Sequence, residues 1–327
     1  MKTRSLGRTS LELTEFSFGA AALGNLYAPV AREAAMATMQ AAWDGGMRYF
    51  DTAPFYGHGL SERRTGDFLQ AQSRENFVLS TKVGKMLRAV PVDQVPDYGF
   101  VDPLPFAVDF DYSHDAILRS VEFSLARLGL NRIDIIYVHD LERGSLGASF
   151  DEHFKTFMDS GIKALEELKS AGLIAAYGLG SNEVSSILDV MNRVKIDALL
   201  LAGRYTLLDR TATAKLMPLC EEHGVGVVIG GVFNSGILAT GAVPGAHFDY
   251  GPPNADISAR VTAMADHAGR NGATLAGAAL QFPLQHPAVS SVLIGSAKPS
   301  SLQRNFGLME TPLEPTIWPG FEPNILV

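Results

Sequence analysis

Ile133-Asp134-Ile135-Ile136-Tyr137-Val138-His139 is a short apolar run that ends in an imidazole. Near-continuous hydrophobicity over so few residues is the mark of a strand buried on both faces. Packing alone gives no reason for a histidine at its end. On the N-terminal side, His114 to Leu128 has the apolar spacing of a helix. On the C-terminal side a helix is predicted from about Gly161 to Ser170, stopping at Gly172. Two earlier runs have the same form: Arg48-Tyr49-Phe50 leads into Asp51, and Phe77-Val78-Leu79-Ser80-Thr81 leads into Lys82.

The unit repeats in both directions. Upstream lie a strand over Glu15–Phe18, a helix over Arg32–Trp43 that stops at Gly45-Gly46, and a helix over Ser61–Gln70. Downstream, strands are predicted over Ala175–Leu179, Ala198–Leu201, Val225–Ile229 and Ser291–Ile294, with helices over Val184–Val194, Thr211–His223 and Ser258–Arg270. Strict alternation implies a parallel sheet, and eight units favour an α/β fold of the closed (β/α)8 TIM barrel type. An open dinucleotide-binding sheet lacks its signature, since Gly19 and Gly24 do not form a Gly-x-Gly-x-x-Gly turn. Residues 1–327 are therefore expected to form a single barrel domain. Lys2–Leu6 and Leu11–Thr14 flank Gly7-Arg8-Thr9-Ser10 and read as an N-terminal β-hairpin capping the barrel floor.

Two connections, Val83 to about Ser113 and Gly231 to about Ile257, are too long for simple turns. Both follow strands, so both are expected to lie over the C-terminal mouth, where barrel active sites sit. The prolines of the tail Thr311–Val327 argue against a regular helix there, with Trp318 as its anchor.

If the three strands ending in Asp51, Lys82 and His139 are neighbours, about 4.8 Å apart, an acid, an amine and an imidazole meet at one mouth. Tyr56 adds a phenol from the adjoining loop, and the four together make a proton-transfer site. No metal is expected in it. Strand alternation is expected to turn Asp140 away from His139. His58 and His114 are further substrate-contact candidates.

Composition excludes other classes. Twenty-seven basic against 35 acidic residues give a net charge of −8, with no basic cluster for nucleic acid and no attraction to anionic membranes. The single cysteine, Cys220, allows no internal disulfide and reads as a core thiol. No signal-peptide pattern opens the chain and no apolar run reaches the roughly 20 residues of a membrane span. A cytoplasmic location and a small-molecule substrate are the expectation.

Asp51-Thr52-Ala53-Pro54-Phe55-Tyr56-Gly57 with Ser61-Glu62, then Ser80-Thr81-Lys82, the strand-end His139 and Gly180-Ser181-Asn182 together resemble the signature of the aldo-keto reductase superfamily. Arg4-Ser5-Leu6-Gly7-Arg8-Thr9 and Ile294-Gly295-Ser296 through Asn305 resemble its two ends. Asp109-Phe110-Asp111-Tyr112-Ser113, Tyr137-Val138-His139-Asp140 and Phe233-Asn234-Ser235-Gly236-Ile237-Leu238 look most like the branch of aldose 1-dehydrogenases and pyridoxal 4-dehydrogenase.

The resemblance implies hydride transfer with a nicotinamide cofactor. Tyr56 would be the acid/base, Lys82 the cation lowering its pKa, Asp51 the partner of Lys82, and His139 the group orienting the substrate oxygen. Ser181 and Asn182 would hold the nicotinamide carboxamide. Backbone amides of Ser235, Gly236 and Leu238 would hold the pyrophosphate, and Ser296 and Asn305 the adenosine end. Tyr27, Phe55, Phe110 and Trp318 are substrate-pocket candidates. Two departures stand out. Ala202 and Gly230 occupy positions where the family often has a glutamine and a stacking aromatic, leaving Tyr205 or Phe233 to supply the stack. Gly295, Ala297 and Ser301 replace cations that bind a 2′-phosphate, which favours NAD over NADP.

The function expected from all this is NAD-dependent oxidation of a cyclic hemiacetal, an aldose such as L-fucose or D-threo-aldose, to a lactone. Pyridoxal 4-dehydrogenase activity is the same chemistry on another hemiacetal. An NADPH-dependent aldehyde/ketone reductase and a non-catalytic cofactor-sensing subunit are the other readings.

Overall fold

The computed structural model describes residues 1–327. Its strands, in chain order, are β1 Thr3–Ser5, β2 Glu12–Thr14, β3 Phe16–Gly19, β4 Tyr49–Asp51, β5 Val78–Val83, β6 Lys85–Ala89, β7 Phe106–Phe110, β8 Ile135–His139, β9 Ala176–Ser181, β10 Ala198–Ala202, β11 Gly226–Gly230 and β12 Val289–Gly295. Eight of them close a barrel of parallel pairs in the order β3-β4-β5-β8-β9-β10-β11-β12, with β12 returning to β3. Helices surround it. This is the (β/α)8 barrel that the strand–helix rhythm implies.

Side-chain alternation sorts each strand between two cores. Phe50, Leu79, Ile136, Val138, Leu199, Val227 and Val292 face outward into the helix layer. Tyr49, Ile135, Tyr137, Leu200, Val228 and Leu293 face inward and fill the barrel. Each fully buried aliphatic or aromatic side chain of this kind contributes roughly 1.5–3 kcal/mol. β1 and β2 pair antiparallel, Thr3 opposite Thr14. This hairpin inserts Leu6 and Leu13 into the inner core and so plugs the floor.

The first long connection contains a second antiparallel hairpin, which the sequence reading left as loop. β6 and β7 pair with Lys85 opposite Phe110 and Ala89 opposite Phe106. The two strands are short and a proline-rich stretch separates them, so neither shows a turn signal close by. That stretch folds back over the mouth, where Phe100 bridges to Leu26. The second connection, after β11, is irregular apart from short turns, including Ile237–Thr240.

The helices differ from expectation at several points, among them the helical run ending at Ser170, which begins at Phe150 rather than near Gly161. The helix expected from Thr211 begins only at Leu216, because Asp209 Oδ1 takes both the backbone N–H and the hydroxyl of Thr211 and holds it in a turn. An additional helix, Leu275–Gln281, is capped by Thr274; its alanine-rich run hides the amphipathic signal. The proline-rich tail winds as 3₁₀ turns over Pro315–Asn324. Cys220 is buried, and burial pushes its thiol up to about 12. No helix is long and apolar enough to cross a membrane.

Candidate active site

Asp51, Lys82 and His139 each stand two residues beyond an inward-facing Tyr49, Ser80 or Tyr137, so the period of the strand turns all three into the mouth. Lys82 Nζ donates to Asp51 Oδ2 at 2.6 Å and to the Thr52 carbonyl at 2.9 Å. Ser80 Oγ donates to the other oxygen, Asp51 Oδ1, at 2.6 Å. Below it, the Tyr49 hydroxyl lies 2.9 Å from Ser80 Oγ and 3.2 Å from the Tyr137 hydroxyl. A buried polar column therefore runs up the barrel axis and ends on the Asp51–Lys82 pair. For Lys82, burial works to lower the pKa, but Asp51 and Tyr56 outweigh it and the ammonium is raised.

Tyr56 reaches this pair because two glycine backbones touch. A Cβ on Gly24 would lie 2.6 Å from the Tyr56 carbonyl carbon, and one on Gly57, which has φ +62°, would lie 2.4 Å from the Gly24 oxygen. The clamp holds the Tyr56 ring with Lys82 Nζ 4.7 Å from its centroid and the His139 ring at 5.8 Å, edge to face. The sequence leads one to expect a lowered phenol pKa. Instead burial pushes Tyr56 up to about 12, with Lys82 pulling the other way. Burial likewise drives His139 well below the ordinary imidazole range, so it is neutral.

Asp140 corrects a sequence expectation. Its φ of +48° breaks the extended backbone after His139, so alternation no longer applies. The carboxylate comes back to the histidine, with Oδ2 3.5 Å from His139 Nε2, and accepts from Lys85 Nζ at 2.5 Å. Lys85 is buried, and its Nζ sits 4.1 Å from the Phe55 ring centroid and 5.5 Å from that of Phe110. Burial works to raise the Asp140 carboxyl, but the charges of Lys85 and Lys82 hold it low, as the carboxylate. The sequence reading leaves Asp140 out of the site on alternation and does not flag Lys85. The signal available was the pair of polar residues at Lys85 and Asp140, each just past the end of a strand.

On the neighbouring strand β9, at its end and just beyond, Ser181 and Asn182 meet a carboxylate that the sequence did not flag. Glu142 accepts from Ser181 Oγ at 2.5 Å and from the Asn182 backbone N–H at 3.2 Å. The Asn182 amide also donates to Glu142, at 3.1 and 3.2 Å, which turns its oxygen outward. Arg204 Nε donates to the Asn182 carbonyl at 2.9 Å, and its guanidinium pairs with Asp209 and Asp249. Asp249 leads directly into Tyr250, whose hydroxyl comes to Asn182.

The other cofactor candidates are dispersed. The N–H groups of Gly236 and Leu238 both donate to the Phe233 carbonyl and are not free for a phosphate. Ser235 Oγ accepts from the Tyr250 N–H at 2.9 Å. Ser296 closes its own turn with Lys298, and Asn305 is buried on the helix Pro299–Glu310. Ala202 and Gly230 pair in register and leave the ends of β10 and β11 bare. Tyr205 does not fill that space: it packs on Phe282 and His286, at 5.3 and 5.7 Å between ring centroids. Phe233 is half-buried against the outer core.

The substrate candidates divide. Phe55 and Phe110 flank Lys85, and Phe55 meets the His139 ring at 5.9 Å. Tyr27 is exposed, with its N–H on the Gly99 carbonyl beside the covering loop. Trp318 is not at the mouth. It packs 6.2 Å from both Phe282 and Phe321 and anchors the tail. His58 is buried under Tyr98 and Phe100. His114 lies in the helix layer between Asp115 and Glu167, outside the mouth.

The aldo/keto reductase family model matches residues 15–319. Pyridoxal 4-dehydrogenase of Microbacterium luteolum is 42% identical over 325 residues, 96% of this chain and 95% of that one. D-threo-aldose 1-dehydrogenase of a Pseudomonas species is 36% identical, covering 92% of each chain. An aldo-keto reductase from Bacillus halodurans, solved in its holo form, matches with a TM-score of 0.78 at 27% identity, over 100% of this chain and 97% of that one. The chain belongs to the aldo/keto reductase family and is an oxidoreductase of that nicotinamide-dependent class. The residues present fit a nicotinamide. The Asn182 amide is fixed on Glu142 with its oxygen turned outward as an acceptor, and Ala202 and Gly230 place no bulky side chain at the ends of β10 and β11 against a flat ring.

Proposed function

We propose that this protein oxidises a cyclic hemiacetal to a lactone with NAD, taking pyridoxal or an aldopyranose such as L-fucose. The observation that carries the reading is the placement of Tyr56 between the Lys82–Asp51 pair and the neutral His139. A bound nicotinamide would supply the hydride acceptor for the hemiacetal carbon. Tyr56 takes the hydroxyl proton as the C–H bond breaks and the carbonyl of the lactone forms. Lys82 stabilises the phenolate, and Asp51, fixed by Ser80, holds Lys82 charged. His139 directs its Nε2 to the reacting oxygen and, being neutral, adds no net charge there.

Asn182 and Ser181, set by Glu142, would hold the carboxamide. Ser296, Asn305 and the N-terminus of the helix Pro299–Glu310 would meet the adenosine and phosphate end. The absence of cations at Gly295, Ala297 and Ser301 supports NAD over NADP. The two relatives are dehydrogenases named for pyridoxal and for an aldose, which supports the substrate class.

The test is reduced-nicotinamide formation from NAD and from NADP, with pyridoxal, L-fucose and D-arabinose in parallel. Turnover with NAD on one of these substrates is the expected result. NADPH consumption with simple aldehydes, and no oxidation of any of the three, would replace this reading with a reductase.

A further inference from the structure

A buried lysine and a carboxylate stand beside the reacting groups without taking part in the proton transfer. Removing such a pair from water is costly, and a well-packed apolar pair is often as stable. Asp140 also stands at φ +48°, a left-handed backbone conformation that few residues other than glycine adopt. Both features fall at one place, 3.5 Å from His139 Nε2.

We propose that Lys85 and Asp140 read a hydroxyl on the substrate adjacent to the reacting carbon, and that they restrict the enzyme to hydroxylated carbonyl and hemiacetal substrates. The inference rests on the placement of the reacting oxygen at Tyr56 and His139 given above. An oxygen held there by His139 Nε2 puts the neighbouring oxygen of a vicinal diol within reach of Asp140 Oδ2. A hydroxyl both donates and accepts. Asp140 can only accept and Lys85 can only donate, and they lie 2.5 Å apart, so one hydroxyl can satisfy both.

Phe55 and Phe110 close the apolar side around Lys85 and leave the direction of Asp140 as its polar outlet. In an aldopyranose the group read is the C2 hydroxyl. Pyridoxal carries its ring hydroxyl one carbon farther from the reacting carbon, in a 1,3 rather than a vicinal relation. An alkyl aldehyde offers neither hydroxyl and forgoes the hydrogen bonds to the charged pair.

The alternative is a tether: Lys85 opens the β6–β7 hairpin, and the pair could serve only to pin that hairpin to the end of β8. A tether would not distinguish substrates that differ by one hydroxyl. D-arabinose and 2-deoxy-D-ribose differ only at C2, so the pair can be read on the unaltered enzyme first. We expect kcat/KM for arabinose to exceed that for deoxyribose by roughly 10- to 100-fold, the size of a hydrogen bond to a charged group.

Asp140→Asn should shrink that preference to within about threefold, chiefly through arabinose. Lys85→Met should shrink it too, with a thermal melt run alongside to confirm a folded protein. Equal losses on both sugars, or no preference in the unaltered enzyme, would overturn the proposal and leave a tether. If no sugar is oxidised, the pair is read on aldehydes instead, and the hemiacetal reading fails separately when pyridoxal is not oxidised either. The same variants are then compared in reduction of glyceraldehyde and propionaldehyde. A glyceraldehyde preference that Asp140→Asn removes supports the inference there, and absence of such a preference overturns it.

Discussion

The two halves of the barrel end differently. β4 and β8 end in Asp51 and His139, and Lys82 stands one residue before the end of β5, while β10, β11 and β12 end in Ala202, Gly230 and Gly295. One half crowds its mouth with ions and hydrogen-bonding groups; the other is stripped of side chains. A proton has to be handed between groups within hydrogen-bonding reach, so the first half supplies groups. A flat ring and a ribose need surface, so the second half supplies room. Glu142, Ser181 and Asn182 sit at the seam, at the end of β9 and in the loop after β8, and belong to the bare half by the carboxamide they are proposed to hold.

The largest effects should come from the crowded half. Tyr56→Phe removes the proton acceptor and should cost roughly 10²–10⁴ in kcat. NAD affinity, read by fluorescence titration, should stay near that of the parent. Undiminished turnover would remove Tyr56 from the mechanism and with it the division of labour between the halves.

Lys82→Met comes next, and its sign in pH is fixed. Oxidation needs the phenolate, and Tyr56 at about 12 means that its fraction rises through the whole alkaline range. At saturating cofactor, kcat/KM for oxidation should therefore climb with pH and not level off below about pH 10. Without the ammonium the phenol is raised further, so the whole curve moves to higher pH. A plateau near neutrality in the parent enzyme would show that the phenol in the working complex is far more acidic than burial alone allows.

At the seam, Glu142→Gln should loosen the hold on Ser181 and Asn182. Loss of about 1 kcal/mol of hydrogen bonding corresponds to roughly fivefold weaker NAD binding. The outcome to watch is kcat, which should change less than affinity, because Glu142 lies on the cofactor side. A loss confined to kcat would move Glu142 into the proton-handling half.

Smallest for catalysis is Trp318→Ala. It removes a half-buried ring that packs on Phe282 and Phe321. Stability should fall by about 2 kcal/mol, read as a lower denaturation midpoint, with kcat/KM near that of the parent. A large rise in KM instead would restore the sequence expectation that Trp318 lines the pocket.

The crowded half was also the legible half. A charged residue at the end of an apolar strand contradicts its surroundings, and that contradiction can be seen in a sequence. Asp51, Lys82 and His139 announce themselves in this way, and the strand–helix rhythm around them gives the barrel. The bare half has no such contradiction, because alanine and glycine at a strand end look like any turn.

Asp140 was misplaced because the period of two holds only while the backbone stays extended, and nothing in His139-Asp140-Leu141 signals φ +48°. Glu142 sits in a loop, where spacing says nothing about which side chains converge. The expected fall in the Tyr56 pKa neglected burial, which only the closed fold reveals. Trp318 was counted as a pocket residue because an aromatic near the C-terminus looks the same whether it lines a site or fastens a tail.

The contact between Gly24 and Gly57 constrains how this enzyme can change over generations. Each backbone fills the space that the other's side chain would need. Either position, altered alone, pushes the Tyr56 loop off the lysine, so every single-step route away from the glycine pair begins with a damaged catalyst. Change around the mouth is therefore expected to leave this pair as it is, because a side chain at either position has to move the backbone that carries Tyr56.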